Sequence, residues 1–125
     1  MASHPLSTET YWAILNDKLD DDAVNRIVWH HLGYRYRAET QTWDTEQAPS
    51  EWREAYPEPP SFTDSRPAIV KLTRAIPKEY KQLLKTELGF TGYKIDELEP
   101  RKTRRATMVS WLMSHEKIKA QGTDS

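Results

Sequence analysis

Four cations stand within five residues at Arg101-Lys102-Thr103-Arg104-Arg105, directly after Pro100. Proline suits the first turn of a helix, so the cluster falls where unpaired N–H groups and the helix dipole already present positive charge. Cations placed there oppose the dipole at a cost of up to about 0.3 kcal/mol each, so local stability does not explain them. An anion does. Arg101, Lys102, Arg104 and Arg105 are therefore candidate anion- or RNA-binding residues, and three anions suit them: the chain's own acidic half, an acidic patch on a partner, or a phosphate backbone. Lys94, Arg66, Lys71 and Arg74 extend the patch if the fold brings them together.

A second candidate is the segment from Trp52 to Phe62, which runs Trp52-Arg53-Glu54-Ala55-Tyr56-Pro57-Glu58-Pro59-Pro60. Aromatic and Arg anchors beside a stiff proline run are what interface hot spots contain. Trp52, Arg53, Tyr56, Pro57, Pro59, Pro60 and Phe62 are the partner-binding candidates. The competing reading makes Trp52, Tyr56 and Phe62 pegs that hold an irregular segment to the body.

Other chemistries find little support. His30 and His31 are adjacent, so on a helix they point about 100° apart and cannot share one metal as an i, i+4 pair does. His31 reads as a half-buried residue beside the apolar stripe of its helix. With no cysteine there is no thiolate metal site, disulfide or cysteine nucleophile. No Gly-x-Ser-x-Gly elbow is present, and four glycines leave little scope for a phosphate-cradling loop. Asp20-Asp21-Asp22 lacks the spacing of a calcium loop and is explained by helix capping. No catalytic residue, cofactor or metal is expected.

The elements that must position these residues are mainly helices. Ser7 caps a first helix, with Glu9 in its first turn and Leu6 and Tyr11 as a hydrophobic staple. The Asp20–Asp22 run opens a second, whose buried face is Val24, Ile27, Val28 and Leu32 and which ends at Gly33. Tyr34–Tyr36 alternates like a strand and pairs with Gln41–Trp43 in a short hairpin. Pro49 opens a helical turn through Tyr56, and the prolines from Pro57 to Pro60 stop it. Asp64 or Ser65 caps the next helix, with Ala68, Ile69, Leu72 and Ala75 inward. Pro77 ends that helix and opens another, faced by Tyr80, Leu83, Leu84 and Leu88 and closed by Gly89, with Phe90 folded back on Leu84. Tyr93 and Ile95 form a short extended piece. A last helix runs from Pro100 to about Ile118, with Ala106, Val109, Leu112 and Met113 inward. The expected fold is a single mainly α domain of about five helices over residues 1–119, with an irregular Pro/aromatic-rich middle, one β-hairpin and a disordered tail at 120–125.

Composition agrees with a folded chain despite a mean hydropathy of -0.85. Net charge is only -1, and five Trp with six Tyr supply apolar faces that aliphatic counts miss. Residues 1–60 carry 5 basic and 11 acidic side chains (net -6), whereas residues 61–125 carry 13 and 8 (net +5). The halves attract. The pI of about 6.4 argues against a dedicated nucleic-acid-binding domain. No run approaches the roughly 18 apolar residues that span a bilayer, so a cytoplasmic location without membrane insertion is expected.

Several stretches carry a family resemblance: Glu51-Trp52-Arg53 with Tyr56-Pro57-Glu58-Pro59-Pro60, Ser65-Arg66-Pro67-Ala68 with Val70-Lys71-Leu72-Thr73-Arg74, Leu88-Gly89-Phe90, and Thr103-Arg104-Arg105-Ala106-Thr107. From about Thr10 to Leu112 the chain resembles an uncharacterised cyanobacterial family, also found in plastid-bearing organisms, catalogued as domain of unknown function 1823. The resemblance implies a photosynthetic-lineage, cytoplasmic or stromal setting and transfers no catalytic residue. The expected role is a non-catalytic adaptor or regulator that docks on a larger enzyme or assembly, in photosynthesis or RNA metabolism. The alternative is an RNA-binding accessory protein that uses the basic helix start for phosphates and exposed Tyr or Trp for base stacking.

Overall fold

The computed structural model describes residues 6–97 and 99–122. Its elements are α1 (Thr8–Leu15), α2 (Asp21–Leu32), the strands β1 (Arg35–Arg37) and β2 (Thr42–Asp44), α3 (Ser50–Ala55), α4 (Arg66–Arg74), α5 (Leu83–Leu88) and α6 (Pro100–Gly122). Single 3-10 turns cover Lys78–Tyr80 and Ile95–Glu97. The strands pair antiparallel, with Tyr36 opposite Trp43, one residue along from the expected hairpin.

The ends of these helices follow from their residue types. The Ser7 hydroxyl accepts from the Thr10 N–H at 3.2 Å, Asp20 from Ala23 at 2.8 Å, and Ser65 from Ala68 at 3.3 Å. Each satisfies a donor that the helix cannot. The helix expected from Pro77 is instead a 3-10 turn followed by α5, so its first turn stays tight and Leu83 is its buried residue. Three boundaries also differ. Ala75 is exposed and Ile76 takes the inward place; Ile95 lies in a 3-10 turn rather than an extended piece and is 92% exposed; and Ala120 to Gly122 continue α6. Residues 123–125 of the expected tail lie outside the described residues.

The long helix α6 organises the molecule, with α1, α2, α4 and α5 packed on it. It buries Met108, Val109, Trp111, Leu112 and Met113, against Ile14, Leu15, Val24, Val28, Leu72 and others. A helix with such a broad apolar face is held by tertiary burial rather than by propensity.

Gly33 joins α2 to the hairpin. Its φ of 112° is left-handed, and its N–H meets the His30 carbonyl while that of Tyr34 meets the Trp29 carbonyl at 3.0 Å, closing a Schellman turn. A Cβ here would stand 2.4 Å from the Gln47 carbonyl oxygen and 2.7 Å from the Ala48 nitrogen. Both obstacles are backbone. Gly33→Ala should therefore cost about 2 kcal/mol from conformation and forced separation together, read as a lower urea midpoint at unchanged slope.

Candidate interaction surface

The basic start of α6 is turned inward. Asp17, just past α1, takes a left-handed φ of 61°, which Asp tolerates, and receives Arg101 in a fork: Nη1 to Oδ1 at 3.1 Å and Nη2 to Oδ2 at 2.8 Å. Arg101 Nη1 also donates to Asp21 Oδ1 at 2.9 Å. The Arg101 guanidinium holds the Asp17 carboxyl below its usual range, chiefly through these hydrogen bonds.

Arg105 lies one turn further on and is fully buried. Its Nε donates to the Ile14 carbonyl at 3.1 Å, its Nη1 to Asp21 Oδ1 at 2.8 Å, and its Nη2 to the Leu19 carbonyl. Ile14 belongs to the last turn of α1, where its carbonyl also takes the Asp17 N–H at 3.2 Å, so the guanidinium adds a second donor at the negative end of the helix dipole. The neighbouring Leu15 carbonyl receives the Tyr93 hydroxyl at 2.8 Å. Arg104 Nη1 donates to the Thr63 carbonyl at 2.8 Å, and Lys102 Nζ stands 5.9 Å from the Tyr93 ring. For Arg101 and Arg105 the anion is thus the chain's own acidic half. Arg101 and Arg105 are thereby taken up within the fold rather than presented to an outside anion, whereas Lys102 and Arg104 are half-buried and have no ion-pair partner among the described residues.

The Trp52 to Phe62 segment is likewise strapped down. Trp52 is 2% exposed, and its ring meets those of Phe62 at 5.7 Å and Tyr56 at 6.0 Å. The Tyr34 hydroxyl, its pKa pushed up to about 12 mainly by burial, donates to the Tyr56 carbonyl at 2.7 Å. Trp29 Nε1 donates to the Pro60 carbonyl at 2.6 Å. Buried Asn25 accepts from the Phe62 N–H at 2.8 Å and donates to Ser61 and Thr63 at 3.3 Å. Trp52 and Phe62 are pegs, because burying two large rings is what fixes an otherwise irregular stretch. Tyr56, Pro59 and Pro60 are half-buried, and Arg53 and Pro57 remain exposed.

The unspent positive charge lies elsewhere. Residues 66–85, spanning α4, the 3-10 turn and α5, carry six basic side chains and one acidic (net +5). Arg66, Arg74, Lys78, Lys81 and Lys85 are exposed and, among the described residues, have no ion-pair partner. The sixth, Lys71, places Nζ 5.1 Å above the Trp52 ring. Between α3 and α4 runs an open groove of about 580 Å³, walled by Glu51 on one side and by Arg66, Pro67, Val70, Lys71 and Arg74 on the other. Arg66, Lys71 and Arg74 were sequence candidates only as an extension of the α6 cluster. The missed signal was the net charge of the window itself, with all six of its cations off the apolar stripe Ala68, Ile69 and Leu72.

A third grouping is aromatic and titratable. The His31 ring stands 5.3 Å from both His30 and His115, and His115 stacks on Trp111 at 5.1 Å. Among the described residues no group of three or more acidic or His side chains is placed to hold a metal. Burial pushes His31 down to about 4, with repulsion from His115, His30, Lys119 and Arg35 added; His30 and His115 are lowered too, and Glu116 alone acts oppositely on His115. Above the ordinary value of 6.5 these imidazoles are neutral folded or unfolded. As pH falls from there toward about 4, the unfolded chain takes up protons first and stability is lost. Urea midpoints should drop between about pH 7 and about pH 5, and His31→Phe should flatten the drop.

The arrangement defines a small helical domain centred on one long helix, with Arg101 and Arg105 at its start paired internally and exposed cations along α4 and α5. The chain belongs to the family described as "Domain of unknown function (DUF1823)", whose model matches residues 5–117. A solution NMR structure is similar to it, with a TM-score of 0.84 and 52% sequence identity over 95% of this chain and 99% of that one. No curated protein matches the chain. Among the described residues no helix is long and apolar enough to cross a membrane.

Proposed function

We propose that this protein is a non-catalytic docking module, an adaptor or regulator that holds an acidic surface of a larger protein partner against α4 and α5. The reading rests on one observation: Arg101 and Arg105 at the start of α6 are paired with Asp17 and Asp21 within the fold, whereas five exposed cations along residues 66–85 have no ion-pair partner among the described residues. Unbalanced charge of one sign destabilises a compact state by self-repulsion while speeding encounter with an opposite charge, so it points outward, to a partner. A cytoplasmic or stromal setting in a photosynthetic-lineage cell belongs to the same proposal. It is tested by affinity capture from native lysate with nuclease present. A stoichiometric protein retained at low salt and released as salt rises is the expected result. Retention that nuclease abolishes would contradict it and favour the RNA-binding alternative.

A further inference from the structure

The groove between α3 and α4 has a pattern specific enough to name what it takes. Arg66, Val70 and Arg74 follow one another at intervals of four on α4, and Pro67, Lys71 and Ala75 form the adjacent row, so both rows face the groove. At about 1.5 Å per residue the outer two cations of the first row stand roughly 12 Å apart along the helix, with Val70 midway. In an extended peptide alternate side chains share a face, and residues i and i+4 are about 13 Å apart. The two spacings match.

We infer that this groove binds an extended acidic peptide of a partner protein, with acidic residues at i and i+4 against Arg66 and Arg74 and an aliphatic residue at i+2 over Val70. The inference rests on the docking reading and gives it a ligand class. Lys71 supplies a third cation beside the apolar position, held in place over the Trp52 ring at 5.1 Å. Glu51, on the opposite wall, confines the peptide carboxylates to the α4 side. A single-stranded nucleic acid fits less well. No aromatic ring lines the groove, so bases have no stacking platform.

The test is an amide NMR titration of the full chain with the capped heptapeptide Ser-Asp-Ser-Leu-Ser-Asp-Ser, its Asn-for-Asp and Ser-for-Leu counterparts, and a short oligouridylate. Saturable shifts at Glu51, Val70, Lys71 and Arg74 are expected with the first. Its affinity should fall at least tenfold with either counterpart and with the double variant Arg66→Ala, Arg74→Ala. Both arginines are exposed, so that variant stays folded. No saturable shift, shifts outside the groove, equal binding of the Asn peptide, or the oligouridylate taking the same residues in its place would overturn the inference. A lysate partner that the double variant still captures but Lys78→Glu with Lys81→Glu loses also overturns it, and leaves the docking reading standing. A wild-type protein that captures no partner overturns that reading itself.

Discussion

Arg105→Met should lower the unfolding free energy by about 4 kcal/mol and the melting temperature by roughly 15 °C, the largest single-residue effect the structure predicts. The volume is nearly kept, so the loss is chemical. Without the guanidinium, the Leu19 carbonyl loses its side-chain donor, the Ile14 carbonyl keeps only the Asp17 N–H at 3.2 Å, and Asp21 keeps Arg101 alone. An acceptor left unmet costs about 1–3 kcal/mol, and breaking a buried ion pair by removing one partner costs about 3–5 kcal/mol. Replacing a whole buried ion network by apolar groups can be neutral, but here one partner goes and the acceptors stay. Arg105→Lys should recover little, because an ammonium cannot reach three acceptors in the plane of a fork. Urea titration at neutral pH reads the effect directly, and a Met variant within about 0.5 kcal/mol of the parent would show that the buried fork does not hold α6 to α1 and α2.

The opposite signature is expected on α4 and α5. The triple variant Arg74→Glu, Lys78→Glu, Lys81→Glu should weaken partner binding about a hundredfold, since three attractions become repulsions across the contact. Its stability should stay within about 0.5 kcal/mol of the parent, because the substituted side chains are exposed and removing like charges offsets the small dipole cost at the end of α4. Partner titration by calorimetry and urea unfolding on the same preparations separate the two effects.

Much of this architecture is legible in the sequence because it is local. Ser7, Asp20 and Ser65 announce their helices through a side-chain acceptor three residues before an exposed N–H, and Gly33 announces a left-handed stop. The hairpin and the inward face of α6 follow from periodicity. What the sequence hides is pairing across distance. Arg101 and Arg105 meet Asp17 and Asp21 from 80 or more residues away, and His31 meets His115 across a similar gap. One signal was available: Arg101, Arg105, Met108 and Leu112 recur at intervals of three and four, which sets both arginines on the apolar stripe rather than on the solvent face. The Trp52 segment misleads for a related reason. Rings that anchor an interface and rings that anchor a loop have the same composition, and only the straps from Asn25, Trp29 and Tyr34 distinguish them.

The central claim is a division of labour between two sets of cations, one that builds the fold and one that meets a partner. Arg101 is partly exposed, so Arg101→Gln weakens the fork to Asp17 without unfolding the chain. Nuclease-treated capture with the parent, Arg101→Gln and the α4–α5 triple variant side by side tests the division most directly. The account predicts that Arg101→Gln retains the partner at the parental level and that the triple variant loses it. Loss by Arg101→Gln with retention by the triple variant would contradict it.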